Sequence, residues 1–178
     1  MAITRDIKFQ SVNPRKEGQI FPSPLDEQVI PLSSNEKIAS LIAYFRNSTP
    51  LLETPLFEMM LAKIHSNGGE YKGLKDSSDV FEYYRKMDDI YSQVKISGLR
   101  VPNKATVSEM FFGKFPLNGI TVEVLSGGNL SFAGRGSHRL AMSFAADQAQ
   151  TPVYVTSISK SALIDRSWQR SLRRIVAY

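Results

Sequence analysis

The chain contains no cysteine, which removes disulfides, thiolate catalysis and cysteine-ligated zinc together. Histidine is nearly as scarce: His65 and His138 are the only two, too few for a histidine-rich metal centre. Long apolar runs are missing as well. The opening Met-Ala-Ile-Thr-Arg-Asp passes into polar residues, so neither a secretory leader nor a membrane span is legible, and cytoplasmic residence is the expectation.

What remains is the composition of a folded protein. Hydrophobic residues make up 42% and charged residues 22% of 178 positions, which argues against wholesale disorder and for one domain carrying a helical extension. Lysine and arginine number 22 against 17 acids, a net charge of +5 that suits phosphate-bearing ligands without requiring them.

Residues 1–32 hold Pro14, Pro22, Pro24 and Pro31 among mixed polar residues and read as an irregular arm. Ser33-Ser34-Asn35-Glu36 has the form of a capping box, in which a hydroxyl and a carboxylate three residues on satisfy each other's free amides. Ile38, Leu41, Ile42 and Phe45 then predict a helix over 35–46. A second helix opens at Thr54-Pro55, carries Phe57, Met60, Leu61 and Ile64 on one face, and stops at Asn67-Gly68-Gly69. From 78 to 97 the pattern is helical again, as one helix or two, with Gly98 as terminator. Beyond Pro116 the period changes. Residues 120–125 and 130–132 predict a β-hairpin about Ser126-Gly-Gly-Asn129, followed by a helix over 137–147 and a strand over 152–156. Leu163, Ile164, Trp168, Leu172 and Ile175 mark a C-terminal helix.

Chemistry concentrates where the hairpin meets the next helix, at Gly134-Arg135-Gly136-Ser137-His138-Arg139. Small residues let a backbone approach a ligand, and the first amides of a helix have no intrahelical acceptor. Arg135, His138 and Arg139 cluster at the positive end of that helix, which costs a few tenths to about 1 kcal/mol per cation unless an anion sits among them. A bound phosphate reverses the sign, and a guanidinium can grip two of its oxygens at once. The bland alternative is a tight turn with solvated or paired arginines.

The run Asp89-Ile-Tyr-Ser-Gln-Val-Lys-Ile-Ser-Gly98, the strand Ile120-Thr-Val-Glu-Val124, the Gly-Ser-His-Arg-Leu-Ala box and the strand Pro152-Val-Tyr-Val155 occur in an order that resembles the ParB/sulfiredoxin-like superfamily. The likeness covers roughly residues 80–170. It implies an α+β fold: a small mixed β-sheet with a ParB/sulfiredoxin-like core over 79–178, preceded by an arm and a mainly helical extension over 1–78. It also implies nucleotide binding, ATP or CTP with Mg2+, through Gly134, Arg135, Gly136, Ser137, His138 and Arg139. Ser137, His138 and Arg139 are then the catalytic candidates of a nucleotide-dependent phosphotransferase or nucleotide hydrolase. The box of sulfiredoxins carries cysteine where this chain has Ser137, and a hydroxyl cannot form that reaction's sulfur intermediates, so sulfinic-acid reduction is not expected. A partition-type DNA clamp is not expected either, because few residues follow Trp168.

Other residues carry weaker signals than the turn. Asp88-Asp89 could bind a magnesium ion, though an acidic pair on a helix is more often solvated. Glu123 could be a base near the site, though charge on an alternating strand more often faces outward. His65 reads as a polar helix-end residue, and Trp168 as packing. Arg166, Arg170, Arg173 and Arg174 fall at helical spacing and form a basic stripe that nucleic-acid phosphates would suit. Two further readings therefore stand beside the enzyme: a nucleic-acid-associated binding protein using the same turn, and a non-catalytic interaction protein of this fold.

Overall fold

Asn35 sets the start of the first helix. Its side chain accepts the amide of Ile38 at 3.0 Å, and α1 runs Glu36–Asn47 with Ile38, Leu41 and Phe45 buried along one face. The expected capping box is therefore displaced. Leu32–Ser34 forms a 3-10 turn that buries Leu32, which leaves Asn35 to cap. Pro55 occupies the first turn of α2, Pro55–Ser66, where its missing N–H costs nothing. Asp76 caps α3, Ser77–Ser97, which is one uninterrupted helix ending at Gly98 with φ +71°.

The computed structural model describes residues 31–99, 119–149 and 151–166, and the backbone of 8–10, 20–21 and 29–30. The strands are β1 Lys8–Gln10, β2 Ile20–Phe21, β3 Val29–Pro31, β4 Thr121–Val124, β5 Leu130–Phe132 and β6 Tyr154–Ser159. They form one mixed sheet in the order β2-β6-β4-β5-β1-β3. The expected hairpin is β4 antiparallel to β5, with Val122 opposite Phe132, while β6 lies parallel to β4 on the other side. The molecule is an α+β protein.

Three expectations are corrected here. The proline-containing arm is not wholly irregular, since β1 pairs with β5 and β3, and β2 pairs with β6. The last strand begins two residues later than its apolar run suggests, where Tyr154 donates its amide to Ile120 at 2.8 Å. Leu163 and Ile164 do not open a long helix. They belong to α5, Lys160–Ile164, which closes at Asp165, and Arg166 has a left-handed φ of +57°. Trp168, Arg170, Arg173 and Arg174 lie outside the described residues, and Arg166 does not continue a helical stripe.

Between β5 and β6 lies α4, Ser137–Ala145. It packs against α1 with the same polarity. Ile38 and Leu140 share one buried cluster with Val122 and Phe132 of the sheet. Leu41 and Phe45 meet Ala141, Met142 and Ala145 in a second cluster, which α2 and α3 complete. At the far end Arg46 of α1 donates to the Phe144 carbonyl and, at 2.9 Å, to Asp147, satisfying the negative terminus of α4. Two apolar layers thus hold α4 in place. One consequence is that the amino termini of α1 and α4 lie at the same end of the molecule.

Candidate functional site

The glycine turn between β5 and α4 is held by a single residue of β4. Ala133 donates its amide to the Thr121 carbonyl at 2.9 Å, and Thr121 donates its own to the Arg135 carbonyl at 3.2 Å. Arg135 in turn donates its amide to the Thr121 hydroxyl at 3.2 Å. The chain can make this tight return because Gly134 and Gly136 adopt φ of +88° and +82°, a backbone that side chains disfavour.

The two glycines serve different ends. A Cβ on Gly136 would lie 2.6 Å from the Gly119 carbonyl oxygen and 2.8 Å from Ile120 Cα, so this glycine lets the turn press against β4. A Cβ on Gly134 would meet nothing within 4 Å, so that face of the turn is open. Gly136 is also the residue that caps α4. It brings no side chain to the first amides of the helix, whose ladder begins with Leu140 donating to Gly136 at 2.9 Å.

The side chains of the box divide between two directions. Arg135 is exposed and Arg139 half-buried. Arg139 lies near Tyr154: burial raises the Tyr154 hydroxyl above its ordinary value, and the Arg139 cation opposes that rise. Ser137 is the first helical residue and is half-buried. His138 faces the helical layer, its ring 5.7 Å from Tyr83 and 6.1 Å from Tyr84. Its Nε2 is buried with no hydrogen-bond partner. Burial first, and then the charges of Lys37 and Lys72, lower its pKa to about 4, so the imidazole is neutral at pH 7. The turn and the first residues of α4 therefore carry uncapped backbone amides and two arginines, Arg135 and Arg139, while His138 adds a neutral ring and no charge.

Glu123 corrects an expectation. It is 4% exposed, and Ser157 donates its hydroxyl to Glu123 Oε1 at 2.8 Å. The alternation of β4 suggested one wet face, but β4 is a central strand and all four of its residues are buried. Ser131 pairs with Glu123 in the register and is fully buried, its hydroxyl without a partner. Glu123 also lies two residues along the strand from Thr121, on the same face. A carboxylate and two hydroxyls thus line the sheet about 7 Å from the residue that holds the turn.

Asp88 and Asp89 are elsewhere. Both are exposed on α3, and Asp88 accepts the Tyr44 hydroxyl at 2.8 Å beside a cavity of about 290 Å³ that Lys95 and Tyr91 also line. Among the described residues no group of three or more His, Asp or Glu side chains is placed to hold a metal ion. His65 is exposed at the end of α2. No described helix is long and apolar enough to cross a membrane.

Sequence reasoning missed three lysines. Lys63 of α2 and Lys72 of the loop after α2 act electrostatically on Lys37 of α1, and Lys37 and Lys72 act on His138. They are scattered along 36 positions on separate elements, so no spacing could reveal them. Compared with known proteins, the chain matches no family model, no curated protein and no solved structure.

Proposed function

We propose that this chain is a nucleotide-binding protein of ParB/sulfiredoxin-like type that seats phosphate groups on the turn from Ala133 to Arg139. One observation carries the reading. Thr121 pins both sides of Arg135, so β4 holds in place the backbone that carries Arg135 and leads into the uncapped start of α4, where Arg139 follows. Prepaid positioning of this kind is what phosphate recognition and charge stabilisation in phosphoryl transfer require. The succession β4, β5, glycine turn, α4 and β6 supports the same reading, because it is the succession that the resemblance implies.

Within this reading the backbone amides and the two arginines bind the phosphates, and Ser137 offers a hydroxyl at the helix start. His138 orients by packing against Tyr83 and Tyr84. The nucleotide is ATP or CTP, and Mg2+ would accompany it mainly through phosphate oxygens and water.

The test is a thermal-shift series with ATP, CTP and GTP, each with and without Mg2+. A ligand that prefers the folded state raises its melting temperature. The expected result is a rise with at least one nucleotide that disappears in Arg135→Ala/Arg139→Ala. The reading is overturned if no nucleotide shifts the wild-type protein, or if the double variant responds as fully as the wild type. A nucleic-acid partner is separated by salt, since binding through many phosphates weakens far more steeply between low and physiological ionic strength.

A further inference from the structure

The cavity of about 290 Å³ lies where the carboxyl end of α1 meets α3, at the opposite end of α1 from the glycine turn. The local chain explains why it is there. Ser48 leaves α1 with a left-handed φ of +52°, and Thr49 donates its hydroxyl back to the Ala43 carbonyl at 3.4 Å, which carries the backbone aside before Pro50. Leu51 then turns inward in a short 3-10 helix and forms a buried apolar floor with Phe45 and Tyr91. The facing wall is a single side of α3, because Asp88, Tyr91, Ser92 and Lys95 recur at helical spacing.

Opposite charges stand at the two ends of that wall, and both are exposed. Tyr44 donates its hydroxyl to Asp88 Oδ2 at 2.8 Å and so fixes the carboxylate. Burial first, and then this hydrogen bond, hold the Tyr44 hydroxyl far above its ordinary pKa, which keeps it a donor. Asp88 makes no second hydrogen bond and no ion pair among the described residues, so its Oδ1 is available to a ligand. Lys95 rests its ammonium 5.1 Å from the centroid of the Tyr91 ring, likewise without an ion pair among the described residues.

The neighbouring charges do not cancel this pattern. Arg46, the basic residue in the last turn of α1, is committed to the Phe144 carbonyl and to Asp147, leaving the negative end of α1 without a cation of its own. Asp89 follows Asp88 on α3 but does not line the cavity. An ammonium group therefore suits the Asp88 end, and a carboxylate suits Lys95.

Size and spacing narrow the ligand. Asp88 and Lys95 are separated by seven helical residues, a rise of about 10 Å, which their side chains shorten. A free α-amino acid carries both charges on one carbon, whereas a dipeptide holds them about 7 Å apart. The cavity has room for about ten waters, comparable to a dipeptide of small apolar residues. Its floor of Phe45, Leu51 and Tyr91 would cover such side chains, and the Ser48 and Ser92 hydroxyls at the rim suit a peptide group.

We propose that the cavity between α1 and α3 binds a small apolar dipeptide, its amino terminus held by Asp88 and its carboxylate by Lys95. This site goes beyond the nucleotide reading and does not rest on it.

Titration calorimetry on the full chain tests the assignment with Ala-Leu and Leu-Ala, with N-acetyl-Ala-Leu and Ala-Leu amide, and with leucine. At least one free dipeptide should bind, and acetylation, amidation, Asp88→Asn and Lys95→Gln should each weaken it by about tenfold or more. Asp88→Asn should weaken the acetylated peptide no further, because the ammonium that it serves is already gone. Asp89→Asn should bind as the wild type does. Ser92→Phe, which places a ring at the mouth and leaves both charges intact, should also weaken binding. Asp88, Ser92 and Lys95 are exposed, so these variants should melt with the wild type when no ligand is present, which separates lost binding from lost folding. The proposal is overturned if neither dipeptide binds, if Asp88→Asn, Lys95→Gln or Ser92→Phe binds as tightly as the wild type, or if leucine matches the dipeptides.

Discussion

Thr121 and Arg135 are bonded reciprocally: the amide of Thr121 meets the Arg135 carbonyl, and the amide of Arg135 meets the Thr121 hydroxyl, each at 3.2 Å. A strand residue buried to 2% exposure thereby sets the position of an exposed arginine at the mouth of the turn.

Thr121→Val keeps the shape of the side chain and removes the acceptor. The amide of Arg135 then loses its partner, at a cost of about 1 kcal/mol. Urea unfolding should show this loss with an unchanged denaturant slope. If the proposed site is correct, nucleotide-induced stabilisation should fall too. Thr121→Ser, which retains the hydroxyl, should restore most of it.

The two glycines of the turn should respond unequally to alanine. Gly134→Ala meets open space and bears chiefly the left-handed backbone penalty, about 1–2 kcal/mol. Gly136→Ala bears the same penalty and also drives a methyl group into the backbone of Gly119 and Ile120. It should destabilise by more than about 2 kcal/mol or abolish folding. Equal losses in chemical denaturation would contradict the close approach of the turn to β4.

His138 predicts a specific acid sensitivity. Its folded pKa of about 4 lies below the ordinary histidine value of 6.5, so the unfolded chain binds the extra proton first. Stability contributed by the neutral ring is complete above about pH 6.5 and declines as pH falls towards 4, by up to about 3 kcal/mol. His138→Phe should flatten the dependence of the unfolding free energy on pH across that window. A slope identical to wild type would show that another group titrates there.

Ser157→Ala removes the hydroxyl that donates to Glu123 in the buried middle of the sheet. The carboxylate group loses a donor, which should cost about 1–3 kcal/mol. Thermal unfolding of Ser157→Ala, Glu123→Gln and the pair in a double-mutant cycle would reveal the coupling. Additive effects would mean that the two side chains do not act on each other.

Much of the local structure is legible in the sequence. Helices α2 and α3 announce themselves through Pro55, the 3.6-residue period and glycine stops, and the hairpin through alternation about Gly127-Gly128. The turn at Gly134–Gly136 was legible for the same reason: left-handed backbone and an uncapped helix start are short-range properties. Errors came where local preference yields to packing. Asn35 replaced Ser33 as the cap because Leu32 is drawn into the core by a 3-10 turn. The arm before residue 32 pairs into the sheet because β5 and β6 have edges that only tertiary assembly exposes to it.

By itself, then, the sequence determined the helical and extended segments, the absence of thiol chemistry and the run of residues from which an anion-binding turn is built. Tertiary structure alone decided the directions of the side chains and the company they keep. It turned His138 towards two tyrosines, covered both faces of Glu123, and gathered Lys37, Lys63 and Lys72 from three elements. The physical reason is range: backbone preference and periodicity act within a few residues, whereas burial and charge proximity depend on distances that exist only after α1, α4 and the sheet have packed.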